Sequence, residues 1–133
     1  MELEDLYREA RKAAERSYST YSNFRVGAAL LCEDGSVVTG TNVENRSFGL
    51  TICAERTAIA AAVSGGRRKF RALAICTPDA DYPVCLCGAC RQFLSEFAEP
   101  SMPIAFGHGD SIGARTTMGD LLPLDSLHEL ADR

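Results

Sequence analysis

The chain has no excess of positive charge, no long apolar run and no basic, hydrophobic leader. Acidic residues outnumber basic ones, 18 to 14, for a formal net charge of −4. That balance creates no long-range field for a polyanion, so no nucleic-acid partner is expected. No apolar stretch approaches the roughly 20 residues that a membrane helix needs, so no membrane partner is expected either. Met1 is followed by Glu2, Glu4 and Asp5 rather than a basic start and an apolar segment, so no secretory signal is expected. There is no internal repeat, linker or low-complexity tract. With 133 residues, 46% of them apolar and 24% charged, the expectation is a single cytoplasmic globular domain over residues 1–133. Histidine is scarce. Neither His108 nor His128 falls in a ligand pattern, and neither is assigned a role.

Cysteine is not scarce. There are six, and without an export signal metal binding is a better reading than a disulfide framework. Three of them stand in two short segments, Cys53-Ala54-Glu55-Arg56 and Cys87-Gly88-Ala89-Cys90-Arg91-Gln92. Three thiolates fill three corners of a tetrahedral Zn²⁺ and leave the fourth open, the arrangement of a catalytic rather than a structural zinc. Glu55, two residues past the first cysteine, is placed to serve that open corner without being a ligand. The pattern predicts a metal that activates water beside a carboxylate proton shuttle. A redox pair at Cys87 and Cys90 would leave Cys53 and Glu55 unexplained. Cys32 and Cys76 read as small core residues in strands. Cys85 is read as a bystander, although it lies close enough to Cys87 to oxidise with it or compete for metal.

Periodicity gives the order αββαβαββα. An amphipathic first helix carries Leu3, Leu6, Tyr7, Ala10, Ala13 and Ala14 at three- and four-residue spacing. Strands are expected over 26–32 and 37–43 around an Asp34-Gly35 turn, then a helix over 53–64 stopped by Gly65-Gly66. A strand over 71–77, a helix over 89–97, strands over 102–106 and 111–116, and a closing helical region over 119–131 broken by Pro123 complete the chain. The basic cluster Arg67-Arg68-Lys69 reads as a solvated loop, and residues 107–110 as a turn. The order suggests one mixed sheet with helices on its faces. Both cysteine segments then fall at helix starts, where free N–H groups and the positive end of the dipole favour thiolate. A zinc with three thiolates is net negative, which weakens its Lewis acidity. Guanidinium donors from Arg56 and Arg91 beside the sulfurs would withdraw some of that charge.

At this point the chain resembles a known family. Tyr21-Ser22-Asn23-Phe24-Arg25-Val26-Gly27-Ala28, Asn42-Val43-Glu44-Asn45, and the two cysteine segments occur in the order and spacing of the small homotetrameric cytidine deaminases. Their zinc signature includes a three-cysteine form with a glutamate that is not a ligand. The resemblance implies a three-layer α/β/α sandwich with a mixed five-stranded sheet, and a homotetramer with active sites at subunit boundaries. It implies zinc on Cys53, Cys87 and Cys90, and proton shuttling by Glu55. It further implies that Asn42 and Glu44 hold ribose hydroxyls, that Phe24 packs at the base, and that Ala54 offers it backbone contacts. The substrate is then a free cytosine nucleoside, with pyrimidine salvage the expected role.

Four departures from the family pattern fall around the pocket. Leu86 replaces a proline before the second ligand, so the loop shape must be obtained in another way. Arg46 replaces a small residue, Phe48 a tyrosine, and Ser126 a phenylalanine. These predict a substrate range that differs at the pocket wall and not at the reacting edge of the base. The alternatives are a deaminase of a modified nucleoside, a nucleotide or an aminonucleoside antibiotic such as blasticidin S, a nucleic-acid editor, and a non-catalytic zinc-stabilised binding protein.

Overall fold

A computed structural model describes residues 1–127. Its elements run α1 (Leu3–Ala14), β1 (Gly27–Cys32), β2 (Val37–Thr41), a short 3-10 helix (Phe48–Leu50), α2 (Ala54–Ser64), β3 (Phe70–Cys76), α3 (Gly88–Ser95), β4 (Pro103–Gly107), β5 (Ala114–Thr117) and α4 (Met118–Leu121). The five strands form one mixed sheet in the order β2-β1-β3-β4-β5. Only the β3–β4 pair is parallel, and α3 makes the crossover between those strands.

Successive side chains of a strand point to opposite faces, and here the two faces carry different helices. Ala29, Ala72, Ala74 and Cys76 meet Leu6, Tyr7 and Ala10 of α1. Ala28, Leu30, Leu73, Ile75 and Ile104 meet Ala54, Ala58 and Ile59 of α2 and Cys90 and Leu94 of α3. Burial on both sides explains why β1 reads as an unbroken apolar run. Each fully buried Leu or Ile contributes about 1.5–3 kcal/mol. The small residues set how closely the helices approach. A Cβ on Gly27 would lie 2.0 Å from the Ala10 carbonyl of α1, and one on Gly40 would lie 2.6 Å from the Ala54 carbonyl of α2. Gly40 therefore brings the start of α2 hard against the end of β2, where the candidate site begins.

Several boundaries differ from the sequence reading. β2 stops at Thr41 rather than at 43, because Val43 leaves β1 and exchanges both backbone bonds with Ile52 at 2.9 and 3.0 Å. β5 starts at Ala114, since residues 111–113 are still completing the turn; that turn is held to α1 by Tyr7 Oη, which donates to the Gly109 carbonyl at 2.8 Å. The 3-10 helix was not expected. Three residues give no periodicity to read. α4 begins at Met118 under a Thr117 cap and lasts one turn, ending before Pro123. The rest of the expected closing helix beyond residue 127, with His128, lies outside the described residues.

Candidate metal centre and proton shuttle

Cys53 and Cys87 are the N-cap residues of α2 and α3, both in extended backbone conformation. Cys90 lies one turn into α3. Both helices pack on the same face of the sheet, so their first turns converge. The Cys53 and Cys87 sulfurs lie 3.8 Å apart and those of Cys87 and Cys90 3.5 Å apart. All three sulfurs fall within 4.8 Å of one another. Ligands at about 2.3 Å from a tetrahedral zinc would place their sulfurs roughly 3.8 Å apart, so the donor set and its spacing fit Zn²⁺. Among the described residues, no further histidine, cysteine or carboxylate joins this trio.

Within the trio, Cys53 is favoured as thiolate. Cys53 is pulled down to about 5, first by a hydrogen bond from Cys90 and then by Arg56, whose Nη2 donates to the Cys53 sulfur at 3.6 Å. The same contact with Cys53, together with burial, pushes the Cys90 thiol up. Metal binding would require all three sulfurs to be deprotonated, and Cys53 is the one already favoured as thiolate. Arg56 Nε is itself buried and, among the described residues, without a partner. Arg91 does not share the work expected of it. Its Nε donates to the Leu86 carbonyl at 2.9 Å and its Nη1 to the Leu121 carbonyl at 3.1 Å. Those bonds give the loop at Leu86 a fixed shape without a proline there. Leu86 is buried in the core and its carbonyl is pinned by Arg91, which fixes the approach to Cys87.

Glu55 occupies the first turn of α2 and is only 5% exposed. Burial pushes its carboxyl up to about 7, and the negative Cys53 sulfur adds to the rise. A carboxyl poised near neutrality can both accept and return a proton at working pH. Ala54, fully buried, lies between Glu55 and Cys53.

The expected sugar-binding residues follow β2. Asn42 is buried, and its side chain braces the segment that bears Phe24: Oδ1 accepts from Val26 N at 2.9 Å and from Ser17 Oγ, and Nδ2 donates to the Phe24 carbonyl at 2.8 Å. One Nδ2 hydrogen remains. Glu44 accepts from the backbone of Tyr21 at 3.0 Å, the backbone of Ser22 at 3.1 Å and the Ser22 hydroxyl, and these bonds hold its carboxyl low. Asn42 lies just past β2 and not within it, contrary to the expected strand over 37–43, because β2 has already ended at Thr41. Ser17 and Ser22 were given no role from the sequence. Serines in a loop carry no signal of their bonding partners.

The outer wall is apolar and open. Phe48 is 73% exposed and meets Tyr21 edge-on at 6.0 Å, while Leu50, Val43 and Ile52 are also exposed. Arg46 and Ser126 are exposed as well. Of the other cysteines, Cys32 and Cys76 are buried in strands, and Cys85 is a half-buried free thiol packed against the core. Arg67 pairs with Asp34 at the far end of the sheet, beside a shallow cavity of about 440 Å³ remote from the cysteine trio. The chemistry therefore decides the site here, and cavity size does not.

Residues 1–105 match the family described as the cytidine and deoxycytidylate deaminase zinc-binding region. The chain is 48% identical to a cytidine deaminase of Sporosarcina psychrophila over 123 residues, 92% of this chain and 90% of that protein. It is 46% identical to a cytidine deaminase of Halalkalibacterium halodurans, with 92% of each chain covered. Its fold matches the crystal structure of a cytidine deaminase from Burkholderia pseudomallei with a TM-score of 0.87 and 42% identity, covering 93% of this chain and 98% of the other.

Proposed function

Because this chain belongs to the cytidine deaminase family, we propose that it hydrolyses cytidine or deoxycytidine to the uracil nucleoside and ammonia. The observation that carries this reading is a buried carboxyl, raised to about 7, beside three sulfurs at zinc-ligand spacing. A structural metal site has no use for such a group.

Cys53, Cys87 and Cys90 hold the zinc, which when bound supplies the Lewis acidity that makes water nucleophilic near neutral pH. Glu55 takes a proton from the attacking water and delivers it to ring N3. It then carries the second proton to the 4-amino group, so that ammonia leaves and the carbonyl forms. Arg56 draws negative charge from the Cys53 sulfur and keeps the ligand set from quenching the metal. Phe24 packs against the base and the backbone at Ala54 contacts it. The free N–H of Asn42 and the Glu44 carboxylate take the sugar diol as donor and acceptor.

Residues 1–133 act as one cytidine-deaminase-like domain, and the working form is a homotetramer. The exposed apolar wall around Val43, Phe48, Leu50 and Ile52 supports that assembly, since one small chain leaves the sugar side uncovered. The physiological setting is pyrimidine salvage in the cytoplasm. The deciding experiment is ammonia release from cytidine, deoxycytidine, cytidine monophosphate and blasticidin S, for wild type, Arg46→Ala and Ser126→Phe. Turnover of the nucleosides supports the reading, with the two variants altering the ranking by about threefold to tenfold if the wall departures matter. Turnover of blasticidin S or the nucleotide alone would overturn it.

A further inference from the structure

The segment that carries Phe24 lies in no helix or strand and is mostly exposed. Asn23 turns it through a left-handed conformation, φ 58°. Beyond the local bonds of Asn23 N to the Ser19 carbonyl and Phe24 N to the Ser22 hydroxyl, several of its polar backbone atoms are fixed by side chains from other segments. Asn42 takes the Phe24 carbonyl and the Val26 N–H, and Asp79 takes the N–H between them, with Arg25 N donating to Asp79 Oδ2 at 2.8 Å. The Arg25 side chain binds the same carboxylate twice more, Nε to Oδ2 at 3.0 Å and Nη2 to Oδ1 at 2.8 Å. An exposed ion pair is ordinarily worth little. This one is bidentate and adds a backbone donor, so it fixes main-chain position as well as charge. Arg25 holds the Asp79 carboxyl below its usual range, as those bonds require.

Asp79 lies on the connection that leaves β3 and runs on to Leu86 and Cys87. Its carboxylate therefore joins the loop bearing Phe24 to the stretch of chain that delivers a metal ligand. We propose that Asp79 is a positioning residue for the deamination reaction: through Arg25 it sets where Phe24 stands relative to the metal centre. This rests on the reading that Phe24 packs against the base. Asn42 fixes the loop to the sugar side, and Asp79 fixes it to the metal side. A misplaced wall leaves the proton shuttle and the sulfurs intact but loses the orientation of the base, an error that can cost up to about 10²-fold.

The test is steady-state kinetics on the zinc-loaded enzyme for Asp79→Ala, Asp79→Asn, Arg25→Ala, the Arg25→Ala/Asp79→Ala double variant and Phe24→Ala. Zinc content and thermal midpoint are measured alongside. Asp79→Ala is expected to lower kcat/KM for cytidine roughly 10–100-fold, mainly through KM, with zinc content unchanged. Asp79→Asn, which keeps an acceptor for the Arg25 N–H, should recover part of that loss. The double variant should be no worse than either single one, because both break the same link. A fall in thermal midpoint with kcat/KM within about twofold of wild type would overturn the proposal, as would full additivity in the double variant. If Phe24→Ala itself leaves KM for cytidine unchanged, the base-packing reading fails. If Phe24→Ala raises KM and Asp79→Ala does not, that reading stands and only the role of Asp79 fails.

Discussion

The two sides of the site are built in opposite ways. On the metal side, Cys53, Glu55 and Cys90 sit in the first turns of two helices packed on a shared core, and Glu55 and Cys90 are almost wholly buried. On the side of Asn42 and Glu44, residues 42–52 come after β2 has ended and leave Phe48, Leu50 and Ile52 exposed. One chain completes the first region. The second leaves Val43, Phe48, Leu50 and Ile52 exposed in the single chain. The metal-side geometry is thus set by packing within the domain, whereas the proposed nucleoside recognition draws on a more open surface. A buried, low-dielectric setting raises the Glu55 carboxyl and strengthens every interaction among the sulfurs, and it requires the rigid packing that only the core provides.

The sharpest way to break this comparison is Glu55→Gln. The amide keeps the shape of the side chain but cannot cycle a proton. Turnover should fall by about 10³-fold or more, since one group serves two transfers that each typically contribute ~10²–10⁴-fold. Zinc content should stay near one per chain. Retention of activity within a few-fold of wild type would place the shuttle elsewhere.

Leu50→Asp addresses the other side. The residue is 66% exposed in one chain, so the substitution should leave folding and zinc content unchanged. Where copies of the wall meet, repeated like charges would repel, and sedimentation should show smaller species with kcat/KM reduced roughly tenfold or more. An unchanged assembly and unchanged kinetics would mean that the wall is not an intersubunit surface.

The smallest effect is a pH slope in the metal-free protein. The folded Glu55 value of about 7 lies above its reference of 4.5, so the folded state holds the proton more tightly than the unfolded one. Its contribution is fully present below about pH 4.5 and is lost as pH rises through 7. Cys53, lowered from 9.0 to about 5, acts in the opposite direction, adding stability as pH rises from 5 towards 9. Apart from the repulsion that Cys53 and Glu55 exert on each other, that second effect is common to wild type and Glu55→Gln. Denaturant titrations should therefore show the stability of wild type relative to Glu55→Gln declining from pH 5 to pH 8, by at most on the order of 3 kcal/mol. A flat difference would mean that Glu55 is not buried in the absence of metal.

How much was legible in advance followed the same division. Residue type and spacing named the three cysteines and Glu55, because a metal demands particular donor atoms and a shuttle must be a titrating group. The order of strands and helices was legible too, since burial on one or both faces writes a period into the chain. The boundaries at Thr41 and Ala114 were not, because they depend on which neighbour takes a backbone bond, and the bridge of Val43 to Ile52 is not a property of either segment. Arg56 and Arg91 make the point most directly. Both follow a cysteine segment and both were candidates to withdraw charge from sulfur, yet only Arg56 reaches one. Arg91 is drawn instead to the Leu86 carbonyl five residues before it and to the Leu121 carbonyl, which the packing of α4 against α3 brings to it.

By itself, then, the sequence pointed to the family, to zinc and to the three cysteines that could hold it, and it singled out Glu55 as the candidate proton carrier, all from the identities of atoms at short range along two segments. The tertiary structure alone decided that the two segments converge to sulfur spacings of 3.5 and 3.8 Å, that Glu55 is buried, and that Asp79 grips the loop of Phe24. Those are distances between residues remote in the chain. They are fixed by how closely helices can approach a sheet lined with alanine and glycine, and no local pattern records that distance.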